Sequence, residues 1–598
     1  MRPILQVFYS IFSGLLLAAA IPNEFYLFGC PIFTLLAFIP LYLSFNYAKS
    51  YKQAFLLGFM QTISTHLASS FWLAYFKDFA ALTLGASAIG TAFIGGFFGL
   101  FLYLPFSSSW HKNQLNENSL SVSFLRTPAF RIIYFASLWT IYEWVKSSGF
   151  LGYPWGTISA TMFNWPVVMQ LSAVTGTYGI SFMIMIINCF IAELIILNNR
   201  SAIRNSKYLK DYRNNQKHRL FSLSVAGKTF GIFIIISLAY GTFQYLRPRK
   251  PIKELTTILV QQNLDPWLLS SDEESILLSQ ELTEKQINVL NDQGLEPDFV
   301  VWSEGCLQQP YPYSEEYYKY YPGESPLASF VSKCGVPFLF GGSYVRETES
   351  GDIKNYNAAI MYDEYGMYRG YYGKTHLVPF AEALPFIEYP AMRDFMDKFV
   401  GISAGWYPGE QYVYFEIPCH PTEYYKMPPV KNVDLTKSSY QQSIEESKPI
   451  TVKFSTPICF DDAFTDVMRP MFLNGAELFV NITDDSWSKT KSSETQHFAV
   501  AAYRAIEYRT TLIRSANAGY SVVVTPSGKV INDQPLLEAS STYCNVPIYK
   551  RTMTTYARFG NWLPYTLILL FAVYTFYMRL HFKKSDFTKS ERNKKLTA

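Results

Sequence analysis

The sequence predicts a two-part chain: a multi-pass α-helical membrane bundle of about eight helices carrying an extracytoplasmic α/β domain. Three observations predict it. Apolar runs long enough to span a bilayer fill most of residues 1–250. A long polar block of alternating strand and helix patterns follows, and one more apolar run closes it. Charged residues are 16% of the 598 and aromatics 17%, whereas a typical soluble protein carries about 25% charged residues.

The apolar runs lie at 4–21, 27–47, 53–76, 80–105, 129–147, 166–197 and 228–246, with the last near 560–580. The first reads as a retained helix, because Arg2 is its only basic flank and a second run follows at once. QTISTHLASS (61–70) is polar for a lipid-facing segment, and Glu143 and Lys146 sit near the end of the fifth run. Such groups face a bundle interior or the interface. Basic residues set the orientation. Lys49 and Lys52 follow the second run; Lys112, Arg126 and the nearby Arg131 follow the fourth. A cluster from Arg200 to Arg219 follows the sixth, and a basic tail follows the eighth. Those loops and both termini are therefore expected in the cytoplasm of a cell's inner membrane, with the polar block outside, in the periplasm if the cell is Gram-negative. The expected divisions are helices one to seven at 1–250, a catalytic domain at 251–552, the last helix at 553–582 and a cytoplasmic tail at 583–598.

Within the polar block, strands are expected at 254–263, 298–304, 336–345, 355–363, 448–460 and 477–485. Helices are expected at 271–294 and 494–509, and 511–531 reads as strand, PSG turn, strand. The segment 420–448 is polar and Pro-punctuated, hence a long loop without a catalytic role. A net charge of +4, with its basic residues near apolar segments, excludes a nucleic-acid partner. Seven cysteines without CxxC, and seven scattered histidines without HExxH, argue against a disulfide framework, a metal site or a cofactor.

The chemistry centres on STPICFDDAF (455–464), where Cys459 follows a short apolar run and precedes an acidic pair. Two stretches look built to serve it: VVWSEG (300–305) with Glu304, and YYGKTHLVPFAEALP (371–385) with Lys374 and Glu382. A thiolate attacks an ester or amide carbonyl and forms an acyl-enzyme. Glu304 is the candidate base for the thiol proton. Lys374 is the candidate holder of the oxyanion, and Glu382 either orients Lys374 or acts as a second base. Taken singly, each has a bland reading: a lone cysteine is usually a small hydrophobe, and a lone Glu or Lys an ordinary charge.

Together and in order, WSE, GKTHLVPFAE and PICFDD resemble the three motifs of the nitrilase superfamily. The apolar segments narrow the resemblance to its membrane-bound branch, the apolipoprotein N-acyltransferase family. SLWTIYEWVKSSGFLGYPWG (137–156) looks like that family's Glu-containing helix and GxPW turn, and TYARFGNWLPY (555–565) looks like its closing motif. The resemblance implies a nitrilase-like αββα sandwich and a two-step reaction without a cofactor. A phospholipid acyl donor from the lipid bilayer would acylate Cys459. The α-amino group of a diacylated apolipoprotein acceptor would then take the chain. It implies triad roles for Glu304, Lys374 and Cys459, a second active-site glutamate at Glu382, and a monomer with one pocket. The family often has Tyr-Glu after the nucleophile; here Phe460 and Asp461 stand there, with Asp462 beside them. Trp267 and Trp487 are candidate substrate contacts. Met392, Phe395, Met396 and Phe399 form an apolar stripe at helical spacing, expected to be an interfacial arm. The alternatives are a membrane-anchored amidase that uses water as acceptor, with the same residues, and a non-catalytic scaffold with a degenerate domain.

Overall fold

The computed structural model describes residues 2–76, 81–107, 127–198, 209–265, 268–349, 351–383, 405–426 and 449–576, with four single residues between 384 and 404. Trp267, the stripe residues Met392, Phe395, Met396 and Phe399, and residues 427–448 of the expected loop lie outside the described residues.

The N-terminal part is helical: α1 (Pro3–Ala20), α2 (Pro31–Ala37), α3 (Ile39–Tyr47), α4 (Tyr51–Ser69), α5 (Ser87–Leu102), α6 (Pro128–Lys146), α7 (Tyr178–Asn198) and α8 (Leu209–Leu246). Among the described residues four helices are long and apolar enough to cross a membrane: Pro3–Ala20, Thr83–Phe106, Tyr178–Asn198 and Leu220–Leu246. Two apolar runs are not single helices. The second divides at Phe38 into α2 and α3, with Pro40 in the first turn of α3. The sixth begins as two one-turn helices, Pro166–Met169 and Ser172–Thr175. It then turns at Gly176, whose φ of +65° suits glycine and whose missing side chain leaves room for Tyr556.

Polar residues in this part face inward. Gln61, Thr62, Thr65, His66 and Ser69 of α4 are buried. Glu143 accepts from Ile158 N (2.8 Å), Trp139 Nε1 (3.3 Å) and Ser181 Oγ, while Lys146 Nζ donates to the Trp155 carbonyl (2.5 Å). These bonds pin the GYPWG turn onto the end of α6. Arg131 corrects the charge count: it is no loop cation. It lies in the first turns of α6, buried in a bidentate pair with Glu193 (both contacts 2.7 Å), to which Tyr42 also donates (2.6 Å). Removing one partner of a buried pair costs about 3–5 kcal/mol, so this pair holds α6 to α7.

The α/β part stacks two sheets. The first contains β1 (Lys253–Gln261), β2 (Phe299–Val301), β3 (Phe338–Glu347), β4 (Ile353–Tyr362) and β5 (Tyr368–Gly373). The second contains β6 (Phe415–Pro418), β8 (Thr451–Ser455), β9 (Leu478–Thr483), β10 (Thr511–Ala516), β11 (Val522–Val524) and β12 (Val530–Asp533). β13 (Ser540–Ile548) returns to the first sheet, giving orders β13-β1-β2-β3-β4-β5 and β12-β11-β10-β9-β8-β6. The short β7 (His420–Pro421) pairs with β1, so the expected loop begins as strand. The sheets meet through Phe299 on Phe454 (5.2 Å) and through Ser515 Oγ, which donates to the Val260 and Val301 carbonyls (3.2 Å each).

Helices α9 (Glu273–Asp292) and α10 (Leu327–Cys334) cover the first sheet; α11 (Thr465–Leu473) and α12 (Lys491–Tyr508) cover the second. The result is an αββα sandwich. α12 is buried on all its faces, because the helical part covers its outer side. Gln496 Nε2 donates to the Pro22 and Ser69 carbonyls (2.8 Å each), and Tyr503 Oη to the Ser159 carbonyl (2.7 Å). The short α13 (Thr555–Phe559) then leads into α14 (Trp562–Phe576).

Candidate active site

Cys459 opens a 3-10 turn, Cys459–Ala463, just past β8. Its φ is +46°, a left-handed conformation that a non-glycine residue holds only when its surroundings fix it. Asp461 does much of that fixing. Its buried carboxylate accepts from Ile458 N (3.1 Å), Tyr372 Oη (2.9 Å) and His376 N (2.7 Å). The last two donors belong to β5 and the segment after it, so the turn bearing Cys459 is tied to the chain that carries Lys374. Burial lifts the Asp461 carboxyl to about 7, and all three neighbours are donors that favour its ionised form.

Glu304 lies just beyond the end of β2. β3 passes so close that a Cβ on Gly341 would lie 2.3 Å from Glu304 Cα. One carboxylate oxygen of Glu304 accepts from Asn357 Nδ2 (2.6 Å) and faces Lys374 Nζ (3.5 Å); the other accepts from Asp484 N (2.7 Å). Glu382 shares both side-chain partners: Lys374 Nζ at 2.8 Å and Asn357 Nδ2 at 2.9 Å, with Val378 N on its second oxygen (2.8 Å). Lys374 therefore sits between two carboxylates, almost completely buried.

Electrostatics fix the resting protonation. Burial, then the Glu304 charge, push the Cys459 thiol well above its ordinary pKa, against the pull of Lys374. Burial raises Glu304 as well, opposed by Lys374 and reinforced by Glu382. Burial opposes the Lys374 charge, but the negative charge that Cys459, Glu304 and Glu382 can carry outweighs it and favours the ammonium. Cys459 thus rests as a thiol, with the Lys374 cation nearby.

The structure brings Glu304, Lys374, Glu382, Phe460 and Asp461 together around Cys459. Phe460 sits in an aromatic cluster. It stacks on Trp155 of the GYPWG turn (5.2 Å, 14°) and meets Phe464 edge-on (4.7 Å). Trp487 packs against Trp72 (5.6 Å) and Phe76 (5.3 Å), both just past α4. Cys306 is apart from this chemistry: it is buried, donates to the Gly341 carbonyl (3.1 Å) and is pushed up to about 12 by burial. All seven cysteines are free.

Several site residues carry no motif. Asn357 is a half-buried amide in β4, and Arg514 is a lone cation in TLIRSA, whose residues are all buried. A charge inside an apolar strand is itself a signal, since a buried charge needs partners. Cys459, Asp485 and His497 also place one donor atom each within 4.8 Å of one another.

Two facing sheets with outer helices, and Glu, Lys and Cys converging from three strand ends, define a carbon-nitrogen hydrolase domain. The family model for carbon-nitrogen hydrolase matches residues 297–547. The family model for the apolipoprotein N-acyltransferase N-terminal domain matches residues 13–190. The apolipoprotein N-acyltransferase 2 of Treponema denticola is 39% identical, covering 96% of this chain and 98% of its own. The apolipoprotein N-acyltransferase 2 of Treponema pallidum is 32% identical, covering 97% and 96%. A carbon-nitrogen hydrolase crystal structure from Helicobacter pylori aligns with 49% of this chain and 89% of its own, at 15% identity and a TM-score of 0.32. The chain belongs to the apolipoprotein N-acyltransferase family and is a membrane protein.

Proposed function

We propose that this protein is an acyltransferase that moves an acyl chain from a phospholipid, through a thioester on Cys459, to an apolipoprotein. The acceptor is the α-amino group of the N-terminal S-diacylglyceryl cysteine. The observation that carries the reading is the convergence of Glu304 and Lys374 on Cys459, in a chain that aligns end to end with its acyltransferase relatives.

In the first step Glu304 takes the thiol proton and Sγ attacks the ester carbonyl. The oxyanion forms beside Lys374, which bears a charge in both ground and transition states and so needs no proton transfer of its own. The lysophospholipid leaves with the proton that Glu304 returns. In the second step the amine attacks the thioester, Glu304 takes the amine proton, and Cys459 leaves as the thiol it began as. Glu382 holds Lys374 in place. Trp487, with Trp72 and Phe76, lines the approach of the lipid chain.

The helical part spans the inner membrane eight times, with both termini cytoplasmic, and presents residues 251–552 to the periplasm. The short α2–α3 pair, α4, α6 and α14 complete the count begun by the four long apolar helices. One nucleophile serves both substrates in turn, and the protein works as a monomer.

The test uses the full chain in detergent with a defined phospholipid and a diacylated lipopeptide. The expected product is the lipopeptide carrying one further acyl chain as an amide, and an N-acetylated lipopeptide should gain none. Fatty acid released equally fast without lipopeptide would mean that water is the acceptor, and would contradict the transferase reading.

A further inference from the structure

Close to Cys459, four buried charged groups form a closed ring. Arg514 Nη1 donates to Asp462 (2.6 Å) and Nη2 to Asp485 (2.9 Å). His497 Nδ1 faces Asp485 (2.7 Å) and Nε2 faces Asp462 (3.2 Å). Every member is nearly or fully buried. Carboxylates only accept, so a histidine between two of them donates from both nitrogens and is an imidazolium. The ring then balances two positive against two negative charges, which a buried cluster requires.

Its members come from four elements. Asp462 is on the nucleophile turn, Asp485 follows Asp484 beyond β9, His497 is on α12 and Arg514 on β10. Asp484 N is the donor that holds Glu304. The ring thus joins the turn bearing the nucleophile to the turn gripping the base. Asp461 makes the complementary tie, to the chain bearing Lys374.

We propose that His497 is a positioning residue for acyl transfer: with Arg514 it closes a ring over Asp462 and Asp485 that sets Cys459 at reacting distance from Glu304. This rests on Cys459 being the nucleophile. It assigns Asp462 a different task from the neighbouring Asp461. The charged and titratable groups around His497 are Asp485, Asp462, Arg514, Cys459 and, beyond Asp485, Glu494 on its own helix. Burial and Arg514 disfavour its second proton, but Asp485 and Asp462 prevail and lift it to about 9.

The experiment measures the rate of acyl-enzyme formation by intact mass, on the full chain with a defined phospholipid, between pH 6 and about 10. Wild type should lose rate as pH rises through about 9, where the ring loses its proton. His497→Gln donates from one nitrogen only. It should be slower by about a hundredfold, the effect of a 1 Å misplacement, with KM within about twofold and without the high-pH fall. The double variant Asp485→Asn with His497→Gln removes one charge of each sign and should recover part of that loss. A purely structural role would lower the melting temperature of His497→Gln and leave the rate and pH profile of the folded fraction unchanged, which would overturn the proposal. So would a double variant no faster than the single one. If His497→Gln does not fold, Asp462→Asn decides: it removes one of the two charges favouring the imidazolium and should move the fall to lower pH. An unmoved fall would overturn the proposal. Cys459→Ala is the control for the site itself: an adduct there would sink the nucleophile reading, and not the ring.

Discussion

Cys459 stands between two buried groups of charges built to opposite rules. On the Lys374 side one cation serves two carboxylates, Glu304 and Glu382. On the His497 side two cations and two carboxylates match one for one. The unmatched side has a carboxylate to spare: burial raises Glu304 against the pull of Lys374, and Glu382 adds to it, as suits the base proposed for it. The matched side holds Asp485 down at about 2, with burial outweighed by His497 and Arg514. In the mechanism proposed, proton movement belongs to the unbalanced side and positioning to the balanced one.

Breaking the unbalanced side should have the largest effect. Glu304→Gln should slow acyl-enzyme formation by about a thousandfold, measured by mass in a single turnover, because an amide cannot take the thiol proton. In wild type the same rate should rise with pH through a value above the ordinary carboxyl range, since Glu304 must be ionised to act. Lys374→Met should come next, at about a hundredfold in the same assay, through loss of the oxyanion partner.

Asp461→Asn should follow. Its amide must point N–H groups at one of three donors, so acylation should slow about tenfold and thermal unfolding should show a loss of about 1–3 kcal/mol. The pH dependence of stability sharpens the point. Burial raises the Asp461 pKa from 3.8 to about 7 in the folded state, so between those values the folded protein binds more proton than the unfolded one. Its contribution to stability therefore falls as pH rises through that window, and Asp461→Asn should flatten the slope. Phe460→Tyr should do least: the ring stays stacked on Trp155, and the rate should remain within about threefold.

The sequence exposes the unbalanced side far better than the balanced one. Glu304, Lys374, Glu382 and Cys459 sit in short words at strand ends, where few residues specify a chemical role. His497 hides inside a helical run, because α12 is buried on both sides and its polar residues look like an ordinary solvated face. Its two partners lie 12 and 35 residues away along the chain. Trp155 meets Phe460 across the boundary between the helical and α/β parts, a contact no local pattern encodes. The break at Gly176 has the same cause: hydropathy runs on through it, and only Tyr556, nearly 400 residues away, gives the turn its packing partner. β13 is missed for a different reason. SSTYCNVPI is half-exposed and poor in apolar residues, and its pairing with β1 from Lys253↔Ile548 onward makes it a strand.

The most direct measurement is the intact mass of the purified full chain after incubation with a defined phospholipid, wild type beside Cys459→Ala. Wild type should gain one acyl chain, removed on addition of a diacylated lipopeptide, and the variant none. An adduct that persists in Cys459→Ala, or none on wild type with any phospholipid, would contradict a thioester on Cys459.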